Sequence, residues 1–181
     1  MRKNQQQKNK QKGFTLIETL VAIFILLVST TGPLSFAQSG LRASFLARDQ
    51  VVAFYLAQDV TETVKNIRDN NSLNGDDWLL GLNACLDPNG CKMETGQALN
   101  IATCSADPCG PMYYASSTRE YVLSPGIGRS PSRYTRTMYL KEIVPDREAQ
   151  MVVVVEWDST FFSERRIVVQ ENIYNSVSAR P

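Results

Sequence analysis

Lys12-Gly13-Phe14-Thr15-Leu16-Ile17-Glu18 joins two stretches of opposite character, and the segment it opens decides the fold. Upstream, residues 1–13 (MRKNQQQKNKQKG) hold Arg2, Lys3, Lys8, Lys10 and Lys12, no acid and almost no apolar residue. Nothing there can pack, so it stands apart from the fold as a leader. Downstream, Phe14 to Val28 is almost wholly apolar and carries a single carboxylate, Glu18. As a helix, Phe14 to Gly32 spans about 28 Å, close to one hydrocarbon thickness. The positive-inside rule keeps the basic leader in the cytoplasm and places the rest of the chain outside it.

The helical pattern does not end with the apolar run. Gly32-Pro33 predicts a kink, because Pro has no N–H to donate and its ring crowds the preceding turn. Beyond it, Leu34, Leu41, Phe45, Val52, Leu56, Val60, Val64 and Ile67 recur at spacings of seven, four and three. Gln38, Arg42, Asp49, Gln58, Asp59, Glu62 and Lys65 fill the other faces, the mark of an amphipathic helix. The stop is Asp69-Asn70-Asn71-Ser72, followed by the turn signal Asn74-Gly75. The expectation is one helix of more than 50 residues, apolar all round over 14–32 and one-sided over 33–70.

The head, 71–181, divides again. Residues 71–130 read as irregular and hold Cys85, Cys91, Cys104 and Cys109. Asp87-Pro88-Asn89-Gly90 is a tight-turn sequence between two of them. Short strands fit 112–115 and 120–123, and 124–131 reads as a loop. Over 131–175 three antiparallel strands are expected, at 134–144, 151–157 and 165–174. Met151, Val153, Val155 and Trp157 share one face of the second, and Ile167, Val169 and Ile173 one face of the third, interrupted by Glu171. The amphipathic half of the helix is the large apolar surface able to cover them. The fold class is therefore α+β: a long N-terminal helix packed on a small antiparallel sheet, with a Cys-bearing loop insertion.

Composition removes several functions. The chain of 181 residues has no His, which excludes Ser-His and Cys-His catalytic pairs and the commonest metal ligand. No Gly-rich phosphate loop follows a strand, and the carboxylates form no readable pair, so an enzyme is not expected. Without the five leader cations, the remaining 14 basic residues face 18 acidic ones, a net of −4, which argues against a general nucleic-acid binder.

Gly13-Phe14-Thr15-Leu16-Ile17-Glu18, continued by Leu20-Val21-Ala22-Ile23, resembles the processing site of type IV pilins and type II secretion pseudopilins. The resemblance covers leader, apolar segment and kink, and the layout of long helix then sheet is similar to the pilin fold. It implies cleavage between Gly13 and Phe14 by a membrane prepilin peptidase, with N-methylation of Phe14. It implies that Glu18 pairs with the Phe14 amine of a neighbouring subunit and sets their stagger. It implies other pilins or pseudopilins, an inner-membrane platform protein and an assembly ATPase as partners, membrane lipid before assembly, and no cofactor. The terminal meander and disulfide-bearing insertion look most like the pilus modification (V-type) minor pilins or the minor pseudopilin I.

Alternatives weighed on the residues remain beside it. An ordinary signal peptide would cut after Ser35-Phe36-Ala37 and leave Gln38 as the first residue; a plain anchor would keep its leader. The cysteines, at C-x5-C and C-x4-C, suit two local disulfides, Cys85–Cys91 and Cys104–Cys109, better than zinc, although spacing does not separate the three possible pairings. Asp76-Asp77 and Asp87-Pro88-Asn89-Gly90 suggest turn chemistry rather than a calcium loop. Tyr113, Tyr114, Tyr121, Tyr134 and Tyr139 interleave with Arg119, Arg129, Arg133, Arg136 and Lys141, a pattern that could stack single-stranded nucleic acid or simply line strands. The runner-up function, a tethered adhesion or DNA-uptake module, would act through that face.

Overall fold

One helix, α1 (Leu16–Asn74), accounts for 59 residues without a break. The computed structural model describes residues 13–95, 100–106, 108–159 and 162–175, so the leader expected over 1–13 lies, but for Gly13, outside the described residues. The chain divides into two units, Met1–Ser44 and Phe45–Pro181.

In the first unit every described residue is exposed. It contains an 18-residue window of mean hydropathy 2.0, long and apolar enough to cross a membrane. The polar side chains within it are served by the helix itself. The hydroxyls of Ser29, Thr30 and Thr31 donate to carbonyls of Leu26, Leu27 and Val28 at 2.8–3.1 Å. Such back-bonding removes the cost of carrying a hydroxyl into hydrocarbon. Pro33 sits inside the helix rather than ending it.

The second unit is built on β5 (Arg129–Val144), sixteen residues long. Along one side it pairs with β6 (Glu148–Ser159), which pairs in turn with β7 (Phe162–Tyr174), all antiparallel. Its other side is shared by two hairpins. β3 (Pro111–Ala115), paired with β4 (Glu120–Val122), lies on its first half, from Ala115↔Arg129 to Pro111↔Thr135. β1 (Cys91–Glu94), paired with β2 (Asn100–Thr103), joins further along, at Cys91↔Met138. Among the described residues the result is a seven-stranded sheet, larger than the three-strand meander and two short strands expected.

Three boundaries differ from expectation for physical reasons. The Cys-bearing segment is not wholly a loop, because it donates β1 and β2 to the sheet; with four residues each they are too short to show a period. The loop expected over 124–131 gives way at Arg129, and Pro131 stands in β5 opposite Tyr113. A proline is tolerated there because β6 begins pairing with β5 only at Tyr134, leaving that side of Pro131 free of ladder bonds. The helix, expected to stop near residue 70, runs to Asn74 and ends where Gly75 takes φ 77°. Asn71 serves that end: its side-chain amide donates to the carbonyls of Trp78 and Leu80, and its own carbonyl accepts from the Asp76 N–H.

The core forms between α1 and one face of the sheet. Ala53, Leu56, Ala57, Val60 and Val64 meet Met93, Met138, Leu140, Met151, Val153, Val155, Trp157 and Ile173. The two fully buried alanines let the helix backbone approach the strands. Trp78, Leu79 and Leu82 close the far end after the helix. Val52 through Ile67 of the expected stripe pack here, with Val52 and Ile67 only partly buried, whereas Leu34, Leu41 and Phe45 remain exposed. Glu171, which breaks the apolar face of β7, is explained by Lys65 of α1, whose ammonium lies 2.9 Å from its carboxylate.

Candidate processing and assembly site

Gly13, Phe14 and Thr15 lie outside regular structure just before α1, and nothing approaches the place where a side chain on Gly13 would sit. A peptide bond in such a stretch can be drawn extended into a protease cleft. The helix then starts on Thr15. Its carbonyl accepts from the N–H groups of Glu18 and Thr19 at 3.1 and 3.2 Å, and its hydroxyl lies 3.4 Å from the Glu18 N–H. Thr15-Leu16-Ile17-Glu18 is thus the S/T-x-x-E pattern of an N-terminal cap, with an acid in the first turn where the helix dipole favours it. The expected roles of Glu18, a charge at membrane depth and a partner for a neighbour's Phe14 amine, do not include this cap, which the Thr15-to-Glu18 spacing signals. Gly32 and Pro33 stand inside α1, and Glu18 is exposed.

Further along, α1 is left with an apolar groove. Ala47, Gln50, Val51, Phe54, Tyr55 and Gln58 border it on the helix and Ile167 of β7 on the sheet, around a volume of about 490 Å³. Phe54 and Tyr55 remain 47% and 66% exposed, unusual for aromatics beside a complete core.

The cysteines form Cys85–Cys91 and Cys104–Cys109, and no described cysteine is free. The first bond ties the short 3-10 helix Asn83–Leu86 to the start of β1; the second joins the end of β2 to the approach to β3. The turn between Cys85 and Cys91 rests on β5. Gly90, at φ +71°, lies so close that a Cβ would come 2.7 Å from the Met138 carbonyl oxygen. The carboxylates of Asp77 and Asp87 accept from the backbone N–H two residues on, which is turn chemistry. Among the described residues no group of three or more His, Cys, Asp or Glu could hold a metal ion.

The 113–141 face does not exist as a single surface. Arg136 is buried beneath α1, where its guanidinium donates to the carbonyls of Leu56 and Met93 at 2.9 and 2.6 Å and reaches Asp59 at 3.3 Å. Thr95 closes the cluster by donating to the same Asp59 oxygen. Burial pushes the Arg136 pKa below its ordinary value, and Asp59 opposes that shift. Tyr134 is also buried, its phenol near Asp49, and both effects hold its pKa above the ordinary tyrosine value. Its ring lies edge-on to Tyr121, which lies edge-on to Tyr114, so the tyrosines pack on one another rather than offer open faces. On the opposite side of β5, Thr137 is buried and accepts from the Cys109 N–H. Arg133 is held by Asp49 at 3.0 Å. The alternation of Arg133, Thr135, Thr137, Tyr139 and Lys141 is real, but the Cys-bearing segment covers its centre.

The family model for the prokaryotic N-terminal methylation motif matches residues 8–32. No curated protein and no solved structure matches the chain. The motif therefore rests on leader and apolar helix alone, and the fold behind it supplies the second support. The motif implies processing by a prepilin peptidase and assembly with other pilins. With that motif at its start, a helix long and apolar enough to cross a membrane behind it and an antiparallel sheet packed on the later part of the same helix, the chain is similar to type IV pilins in motif and layout.

Proposed function

We propose that the protein is a minor pilin or pseudopilin, a subunit of a type IV pilus or a type II secretion pseudopilus rather than an enzyme. The observation that carries this reading is the methylation motif over 8–32 set at the start of one unbroken helix. Prepilin peptidase cuts between Gly13 and Phe14 and methylates the new amine. The subunit is then held in the inner membrane by 14–32, with its head outside the cytoplasm, until a platform protein and assembly ATPase draw it into the filament. Gly32-Pro33 gives the helix its bend, since the N–H missing at Pro33 weakens the ladder there. Glu18 meets the Phe14 amine of a neighbour, where an unpaired charge in the filament interior would be strongly disfavoured. Within one chain it is also the acid that favours the helix start, so its loss weakens the first turn by only about 0.5–1 kcal/mol.

The test is the mass of the N-terminal peptide from protein made together with a prepilin peptidase. A product beginning at N-methylated Phe14 is expected; one beginning at Gln38, or with the leader intact, overturns the reading. Glu18→Ala is expected to be cleaved normally yet incorporated into filaments far less than the wild type. Equal incorporation would remove the assembly role of Glu18.

A further inference from the structure

The loop between β4 and β5 carries a feature that processing and helix assembly leave unused. Ser124-Pro125-Gly126-Ile127-Gly128-Arg129 holds Ile127 fully exposed, with no side-chain packing at all. The loop is braced from several directions. The Arg129 guanidinium donates to the Ser124 carbonyl at 3.1 Å, and its side chain lies against Gly126. The Arg129 N–H closes a turn on the Gly126 carbonyl. Gly128, at φ +74°, gives its carbonyl to both the N–H and the hydroxyl of Ser116 at 3.1 Å. An isolated exposed isoleucine is ordinary; this one stands at the tip of a turn held by the hydrogen bonds just described.

Its place within the head suggests what it meets. Asp49 of α1 pairs with Arg133 near the start of β5, while Lys65 pairs with Glu171, whose strand partner Met151 lies opposite Leu140. Residues 49 to 65 of the helix thus run alongside β5 from 133 toward 140. Arg129 and the Ile127 loop lie beyond residue 133, at the end of the head where the chain enters at Phe45. The exposed Arg119 stands on the adjoining β3–β4 turn, with Glu120 beside it, and Arg48 is exposed on the helix at this end. An apolar tip flanked by arginines at the end that receives a membrane anchor is the chemistry of a bilayer surface.

We propose that this loop is a lipid contact: Ile127 enters the bilayer surface and Arg119 and Arg129 take anionic headgroups, docking the head on the membrane before assembly. The inference rests on the anchoring of α1 and not on the filament. One isoleucine and two arginines would not recruit a free protein, but the anchor makes the encounter intramolecular, so a weak contact is populated. Extraction into a filament would break it without unfolding anything.

The test uses the full chain in nanodiscs containing phosphatidylglycerol, with an environment-sensitive fluorophore on Ser117→Cys, a single added thiol beside the loop, and spin-labelled lipid as quencher. A second version carries the probe on Val28→Cys within the anchor. Quenching at both positions is expected, with Ile127→Asp weakening it about tenfold at 117 and leaving it unchanged at 28. A quenched Val28 probe with an unquenched Ser117 probe overturns the contact and leaves the anchor standing. Quenching at 117 that ignores Ile127→Asp, or that vanishes when discs hold one copy each, also overturns it, the latter in favour of a contact between copies. An unquenched Val28 probe overturns the anchor and the contact together.

Discussion

Arg136 shows how a residue can look like a ligand in sequence and serve as a bolt in structure. The two-residue period of β5 puts it on the same face as Tyr134, Met138 and Leu140, but a lone arginine on that face does not show what it holds. In the fold it ties β5 to two other elements: the carbonyl of Leu56 and the carboxylate of Asp59 on α1, and the carbonyl of Met93 on β1. Among the described residues nothing accepts its Nε–H, so part of its burial cost is uncompensated. Arg136→Met removes charge-assisted hydrogen bonds that contribute about 1.5–3 kcal/mol each, but it also relieves the buried charge; a net loss of about 3 kcal/mol is expected. Arg133→Ala, at a half-exposed ion pair, is expected to cost about 1 kcal/mol or less. Urea unfolding of the two variants checks the contrast, and equal losses would show that Arg136 is not the fastener. The same geometry means that weakened nucleic-acid binding in Arg136 variants would report unfolding rather than a lost contact.

At the scale of elements, what could be read from sequence was what repeats. The stripe from Val52 to Ile67 and the alternating faces of β6 and β7 each show a period, and each appears where expected. The four-residue strands β1 and β2 show none, and the partner of Glu171 lies more than a hundred residues away at Lys65, beyond the reach of local pattern. The cysteine pairing was open in sequence because spacing does not select among connectivities, whereas the fold brings each pair within 4.6 and 5.2 Å between Cα atoms. The two bonds are not equivalent. Cys85 and Cys91 are fully buried within the main core, while Cys104 and Cys109 lie outside that cluster. Closing loops this short contributes about 2 kcal/mol by chain entropy in either case. Replacing Cys85 and Cys91 by Ala together is expected to cost more than that, because it also thins the packing; replacing Cys104 and Cys109 should cost about 2 kcal/mol. Denaturant midpoints of the two double variants measure the difference, and a larger loss for the second pair would reverse this assignment.

For the whole molecule, the question is why a folded head leaves aromatic surface beside a finished core. Of the groove's residues Ile167 packs against the core, whereas Val51, Phe54 and Tyr55 stay exposed beside Leu56, Val60 and Val64, which cover the sheet. A pilin-like subunit gives such a surface a use, because the apolar helix of another subunit is unsheltered once it leaves lipid. Because Ile167 sets one wall of the groove on β7, a helix seated there would touch both α1 and the sheet. Phe54→Glu is therefore expected to leave the head's stability within about 0.5 kcal/mol, as at an ordinary surface position. It should nonetheless shift the protein from the filament fraction to the membrane fraction by tenfold or so, because a carboxylate would have to be buried against apolar helix. Fractionation of cells producing the variant, read beside its melting curve, separates the two effects. A stable head with undiminished filament incorporation would leave the groove without a role in assembly, and a large drop in melting temperature would make Phe54 part of the core instead.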